Sequence, residues 1–163
     1  RVTLVDTGLK AQTGARIKKI QNYIGKEPFM LTYGDGVSDV DLNALLKQHQ
    51  GSGKTVTLTG IQPGGRFGVL DLEGQTVTGF REKAKEDGGW INGGFMVMEQ
   101  DVFEYLSEED GCILERVPLE RLAAEGRLGV YKHSGYWQCM DTQRDKGRLE
   151  SLWQEGNAPW KVW

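Results

Sequence analysis

The sequence predicts an α/β domain built on a mixed sheet. Three observations lead there. Strand-like runs alternate with helical periodicity along the chain. Phe29–Tyr33 is a continuous apolar run, the pattern of a strand buried on both faces. Two alternating runs, RFGVLDL and TVTGFREK, flank Glu73-Gly74-Gln75, which marks an inserted hairpin.

The elements follow in order. Val2–Val5 reads as a short strand, and DTGLKAQTG as a loop rich in turn formers. Thr13 is placed to cap a helix running to about Ile24, with Ile17, Ile20 and Ile24 on one face and Gly25 at its end. After Pro28 comes the strand Phe29–Tyr33. Ser38 or Asp39 is expected to cap a helix through Gln50, with Val40, Leu42, Leu45 and Leu46 inward and Gly51 as its C-cap. Lys54–Ile61 alternates cleanly, with Val56 and Leu58 on one side and Thr55, Thr57 and Thr59 on the other. After the hairpin, GGFMVME reads as a strand, and Asp101 caps a short helix to Leu106. Pro118 starts a helix in LERVPLERLAAEG. RLGVYK and GYWQC are strands. Thr142 opens a last helix through Glu155, ended by Gly156, and the tail with Trp160 and Trp163 is expected to dock.

Composition narrows the class. The 163 residues suffice for one domain with a core, burying roughly 68–70% of the unfolded surface. At 38% hydrophobic and 26% charged, the chain is an ordinary globular one. The net charge of −3 is spread without a basic block, which argues against nucleic acid as a partner. No apolar run approaches the ~18–20 residues that span a bilayer, and no signal peptide is visible. Cys112 and Cys139 make neither a CxxC nor a metal spacing, so free thiols in a reducing cytoplasm are expected. The 23 glycines imply many tight turns. The chain opens on RVTLVDTG without a Met, and reads as the middle of something longer.

Several motifs sit where strands end. Asp35 lies between two glycines in YGDG, and Asp141 follows WQCM; both precede a helix start. Two carboxylates from distant strands suit one hard cation such as Mg²⁺, although either also suits a turn or a cap. Glu82 and Lys83 end the hairpin, as ligand groups or as a solvated charge pair. Asn92 offers a donor and an acceptor suited to a hydroxyl, or a turn. Gly68 follows Arg66-Phe67. Thr13-Gly14-Ala15-Arg16 starts a helix, where free N–H groups and an Arg suit an anion, or are simply a capped start. His49 and His133 have no partners at ligand spacing, and no Ser/His/Asp or Cys/His set is apparent.

In this order, YGDG, GRFG, EK, NGGF and WxxMDT resemble the sugar-1-phosphate nucleotidylyltransferases. The resemblance covers essentially the whole chain. The VDTG…TGAR opening and the DTQRDKGRLESLWQEGNAPWKVW ending resemble the cytidylyl branch of that family most. It implies a Rossmann-like nucleotide-diphospho-sugar transferase fold, with a mixed, mostly parallel sheet. It also implies transfer from CTP to glucose 1-phosphate with Mg²⁺, in a cytoplasmic homo-oligomer without nucleic-acid or membrane partners. By the same resemblance Asp35 and Asp141 hold the metal, and Lys83 contacts the sugar phosphate. Gly68, Glu82 and Asn92 line the sugar, and Thr7, Gly14 and Arg16 fall in the nucleotide pocket. The family's glycine-rich GGxGTR loop and the lysine after it are absent. The chain therefore reads as the C-terminal two thirds of one nucleotidylyltransferase domain, and is expected not to make CDP-glucose by itself. Ala84 and Cys139 stand where the family has proline. Two other readings remain: a non-catalytic sugar-phosphate or nucleotide binding module, and a nucleotidylyltransferase using another nucleotide.

Overall fold

The computed structural model describes residues 1–62, 68–73, 76–82 and 89–163. Among the described residues there are eight strands: β1 Phe29–Leu31, β2 Gly36–Ser38, β3 Val56–Ile61, β4 Gly68–Glu73, β5 Thr76–Glu82, β6 Ile91–Met98, β7 Leu128–His133 and β8 Trp137–Cys139. The α-helices are α1 Thr13–Lys19, α2 Leu42–Ser52, α3 Val117–Ala124 and α4 Gln143–Gln154. The main sheet has the order β1-β6-β3-β7, and β2 with β8 and β4 with β5 form two-stranded ladders.

Backbone hydrogen bonds fix the strand directions. β6 runs antiparallel to β1. Glu99 N donates to Thr55 O, so the end of β6 meets the start of β3. Thr55 N and Val56 N both donate to Arg127 O, so β3 and β7 start together. Thus β1, β3 and β7 share a direction and β6 opposes it, the mixed sheet expected from the alternation of elements.

The chain divides into two compact units. The first comprises Arg1–Thr32, Asp41–Leu58 and Phe95–Tyr131; the second comprises Tyr33–Val40, Thr59–Gly94 and Lys132–Trp163. The core of the first is apolar and dense: Leu45, Val56, Val97, Leu114 and Leu122 are fully buried. Each such side chain contributes about 1.5–3 kcal/mol by leaving water. His49 is buried there too, with Nδ1 2.8 Å from Thr57 Oγ1 and Nε2 3.2 Å from Glu99 Oε1. It is a satisfied core histidine. Both cysteines are thiols.

Several expectations are corrected. Val2–Val5 is not a strand; Val2 and Leu4 are 86% and 93% exposed, and the segment joins no ladder among the described residues. Alternation alone does not satisfy the N–H and C=O groups of an extended segment. The strand from Phe29 stops at Leu31, and among the described residues β1 pairs on one side only, with Met30 48% exposed, so it is not buried on both faces. The first helix ends at Lys19, with a 3₁₀ turn at Gln21–Tyr23. Its N-cap is Gln12; Thr13 instead donates to Glu115 Oε2 and accepts from Leu114 N. The second helix is capped by Asp41, whose carboxylate accepts from Ala44 N, and it ends at Gly53 in the left-handed region at φ 64°. Leu42 is exposed rather than inward. The Thr face of β3 is as buried as its Val face. Asp101 does not cap a helix; it lies inside a 3₁₀ turn, Gln100–Glu104, and accepts from Thr55 Oγ1 and Arg127 Nη2.

The starts of the last two helices and the hairpin stand as read, whereas the expected docking of the tail holds for Trp160 and not for Trp163. Pro118 sits in the first turn of α3. Thr142 caps α4 in a reciprocal pair with Asp145. The hairpin is antiparallel, with an irregularity at Asp71/Leu72, and its turn lies outside the described residues. In the tail Trp160 packs on Tyr136 at 5.6 Å, while Val162 and Trp163 stay exposed at 73% and 80%.

Candidate functional site

The second unit brings the two aspartates to one place. β2 and β8 pair antiparallel, with Gly36 opposite Cys139, Val37 opposite Gln138 and Ser38 opposite Trp137. One step further out, Met140 N donates to Asp35 O at 2.7 Å. That bond carries the ladder to Asp35 and Met140, so Asp141 is the next residue along. Residues directly opposite in such a ladder have Cα atoms about 4.5–5.5 Å apart. Asp35 and Asp141 therefore share one end of one short ladder, despite coming from distant parts of the sequence. Both are exposed. Asp141 Oδ2 also accepts a weak hydrogen bond from the Cys139 thiol at 3.1 Å.

Asp35 and Asp141 are oxygen donors of the kind a hard divalent cation takes. Mg²⁺ takes one or two carboxylates and completes its shell with water and phosphate oxygens. Two exposed carboxylates leave room for such ligands. Among the described residues no group of three or more His, Cys, Asp and Glu side chains is arranged around a common point, as an all-protein cage would require.

Asn92 lies in β6, in the same unit. Its Nδ2 donates to Tyr33 Oη at 3.2 Å, and its Oδ1 accepts from Gly94 N at 3.0 Å. Those bonds hold a kink: Gly94 has φ 81° and Phe95 φ 34°. A phenylalanine at positive φ is an uncommon, strained backbone. Among the described residues these two bonds leave one Nδ2 hydrogen and one Oδ1 lone pair of Asn92 unused. Trp137 reaches the same strand, its indole N–H donating to Gly93 O at 2.7 Å. Gly68 faces Glu82 across the β4–β5 ladder, at the end away from the turn. Lys83 lies outside the described residues.

The other three sequence-derived candidates belong to the first unit. Arg16 is exposed and donates from Nη1 to Thr7 Oγ1 at 2.6 Å and from Nη2 to Leu9 O at 3.4 Å. Lys19 Nζ donates to Thr7 O at 3.2 Å and pairs with Asp110. The loop Asp6–Leu9 is thus held against α1 by two cations. Gly14 is not open to a ligand. It is buried, and a Cβ there would stand 2.7 Å from Cys112 Sγ and 3.0 Å from Cys112 O. Ala15 N already donates to Cys112 O. The start of α1 is closed by protein rather than free for an anion.

Sequence reasoning missed one cluster in the second unit. His133 Nε2 lies 2.9 Å from Asp39 Oδ1, 3.2 Å from Tyr136 O and 3.3 Å from Ser38 Oγ. The histidine is satisfied, as expected, but two of its three partners, Ser38 and Asp39, lie about 95 positions away in sequence. Nothing local announces them. Ser, His and Asp meet here, yet both oxygens face the same ring nitrogen. A nucleophilic triad needs its serine and its carboxylate on opposite nitrogens. Close by, the Tyr136 hydroxyl is buried without a hydrogen-bond partner among the described residues, and burial pushes its pKa up.

Comparison with known proteins agrees with this architecture. A family model described as nucleotidyl transferase matches residues 5–158. A glucose-1-phosphate cytidylyltransferase of Salmonella typhi is 48% identical over 163 residues, covering 99% of this chain and 63% of its own length. The glucose-1-phosphate cytidylyltransferase of Salmonella typhimurium strain LT2 matches with the same identity and coverage. The chain thus spans less than two thirds of either relative. Among solved structures, HddC from Yersinia pseudotuberculosis shares the fold, with a TM-score of 0.64 at 21% identity over 87% of this chain and 62% of that one. With the match spanning nearly all of its residues, the chain belongs to the nucleotidyl transferase family.

Proposed function

We propose that the protein carrying this chain is a Mg²⁺-dependent glucose-1-phosphate cytidylyltransferase. A phosphate oxygen of glucose 1-phosphate attacks the α-phosphorus of CTP. The bond between the α-phosphorus and the bridging oxygen breaks, and pyrophosphate leaves with CDP-glucose as the other product. The observation that carries this reading is the arrival of Asp35 and Asp141 at one end of the β2–β8 ladder. The choice of CTP and glucose 1-phosphate rests on what the two Salmonella relatives are named for.

The chain's residues have the chemistry this transfer asks for. Asp35 and Asp141 are hard oxygen donors, and a bound Mg²⁺ supplies charge neutralisation at the phosphates. Lys83 brings a positive charge to the sugar phosphate. Gly68, Glu82 and Asn92 face the sugar; Asn92 uses the donor and acceptor left after its bonds to Tyr33 and Gly94. Arg16, steadied by Thr7, lies on the nucleotide side, with Gly14 setting the path of the helix that carries it. Catalysis of this kind is mainly alignment and electrostatics, so no protein nucleophile is required.

The exposed Trp153, Val162 and Trp163 support a homo-oligomer in which the C-terminal residues meet a second subunit. The cytoplasm is the proposed compartment; among the described residues no helix is long and apolar enough to cross a membrane. The test of the reaction is pyrophosphate release by the protein carrying this chain. Glucose 1-phosphate is paired in turn with CTP, UTP, dTTP and GTP, and CDP-glucose is identified by mass. Release with CTP well above the others is expected. Equal use of all four, or none with CTP, overturns the assignment.

A further inference from the structure

β2 and β8 contribute only three residues each. An isolated two-stranded ladder is marginal in water, and this one carries the two aspartates at one end. At its other end stands the cluster around His133. Asp39 N donates to Tyr136 O at 3.2 Å, and Tyr136 N returns a bond to Asp39 Oδ1 at 2.7 Å. Ser38 Oγ donates to Tyr136 O at 2.8 Å and accepts from Val40 N at 3.1 Å. With its proton used on Tyr136 O, Ser38 Oγ meets His133 Nε2 as an acceptor. All three oxygens around Nε2 are then acceptors, so Nε2 carries a hydrogen and donates. Gly135 closes the arrangement. A Cβ there would stand 2.4 Å from Asp39 Oδ1 and 2.7 Å from His133 Cε1.

We propose that His133, Asp39, Ser38 and Gly135 form a clamp that sets the register of β2 against β8, and thereby the separation of Asp35 and Asp141. His133 is a positioning residue rather than a catalytic one. A ladder that slips by one residue turns every side chain to the opposite face. A loosened clamp would therefore let the Asp35–Asp141 spacing vary while leaving both carboxylates intact. The metal part of this inference rests on the proposed role of that pair.

The test uses the protein carrying this chain, without metal and then with Mn²⁺ as a probe. His133→Ala and Gly135→Ala remove the donor and crowd the carboxylate. His133→Gln keeps an N–H near Nε2, and Ser38→Ala removes the hydroxyl that donates to Tyr136 O and accepts from Val40 N and His133 Nε2. Amide exchange over residues 136–141 of the metal-free protein reads the ladder itself. Protection in His133→Ala and Gly135→Ala should fall roughly tenfold or more. Mn²⁺ affinity, followed by electron paramagnetic resonance, should fall about 10- to 100-fold, as when a group supporting a metal ligand is lost. His133→Gln should recover most of both, and Ser38→Ala, which leaves the His133–Asp39 contact in place, should give a measurable loss of both even if His133→Ala does not fold. Unchanged exchange in the folded variants overturns the clamp. Faster exchange with unchanged Mn²⁺ affinity overturns its positioning role. Asp35→Asn and Asp141→Asn separate this from the site assignment: if they leave Mn²⁺ affinity intact, the metal pair fails whatever the clamp variants do.

Discussion

Gly14→Ala tests whether the opening of α1 is a packing feature or a ligand pocket. The added Cβ would meet three atoms: Cys112 Sγ at 2.7 Å, Cys112 O at 3.0 Å and Leu114 N at 3.1 Å. The thiol can rotate away; the two backbone atoms cannot. They are held where they are by the bonds from Ala15 N to Cys112 O and from Leu114 N to Thr13 Oγ1. Relief therefore requires α1 and the 112–114 segment to separate by several tenths of an ångström, stretching both bonds. Overpacking of this kind costs about 1–3 kcal/mol. Alanine returns up to about 1 kcal/mol of helix propensity, less at the second position of a helix. The net expectation is a loss of about 1–2 kcal/mol, or roughly 2–8 °C in Tm for a domain of this size. Urea titration of the variant against the parent gives the number. Adding Cys112→Ala should recover only the part due to sulfur. A Gly14→Ala protein as stable as the parent, with KM for CTP raised, would refute the packing argument and restore the residue to the nucleotide pocket.

Other predictions follow from the same geometry. Asp35→Asn or Asp141→Asn should lower turnover about 100- to 1,000-fold with little change in the urea midpoint, since both side chains are exposed; equal losses of stability and rate would point to a structural role. Lys83→Ala should weaken use of glucose 1-phosphate about 10- to 150-fold, the worth of a charge-assisted hydrogen bond at roughly 1.5–3 kcal/mol. Steady-state kinetics with glucose 1-phosphate varied at saturating CTP would show it. Tyr136→Phe removes a buried hydroxyl with no partner among the described residues, so stability should hold or rise by about 1 kcal/mol; a clear loss in thermal unfolding would mean the hydroxyl is engaged.

What the sequence disclosed was local. Pro118 and the Thr142–Asp145 pair announce their helices because cap chemistry acts within a few residues. The start of α2 shows where this fails. The run Ser38-Asp39-Val40-Asp41 holds three good cap residues, and local chemistry cannot rank them. Asp41 takes the cap. Ser38 and Asp39 are committed to Tyr136 and His133, in a part of the chain no local window can see. The strand β2 is hidden from local reading for the same reason. Gly36-Val37-Ser38 has no strand pattern of its own, and becomes a strand only because Trp137-Gln138-Cys139 lies beside it.

The same distinction governs the site. Sequence placed Asp35 and Asp141 each at the end of a strand-like run, but a strand has two neighbours and many registers. Whether two such ends coincide is decided by pairing, not by either run. The bond from Met140 N to Asp35 O decides it here. Pairing also separates candidates that looked alike in sequence. Gly14 and Gly36 both stand in short glycine-bearing motifs, TGAR and YGDG. One is pressed against Cys112, and the other meets nothing nearer than the Trp137 indole nitrogen at 4.0 Å. Only the second leaves its aspartate neighbour exposed at a ladder end. A carboxylate between glycines, at the exit of a strand, therefore acquires chemical meaning from a partner about a hundred residues away, and the clamp at the other end of that ladder is the part of the chain that keeps the partner in place.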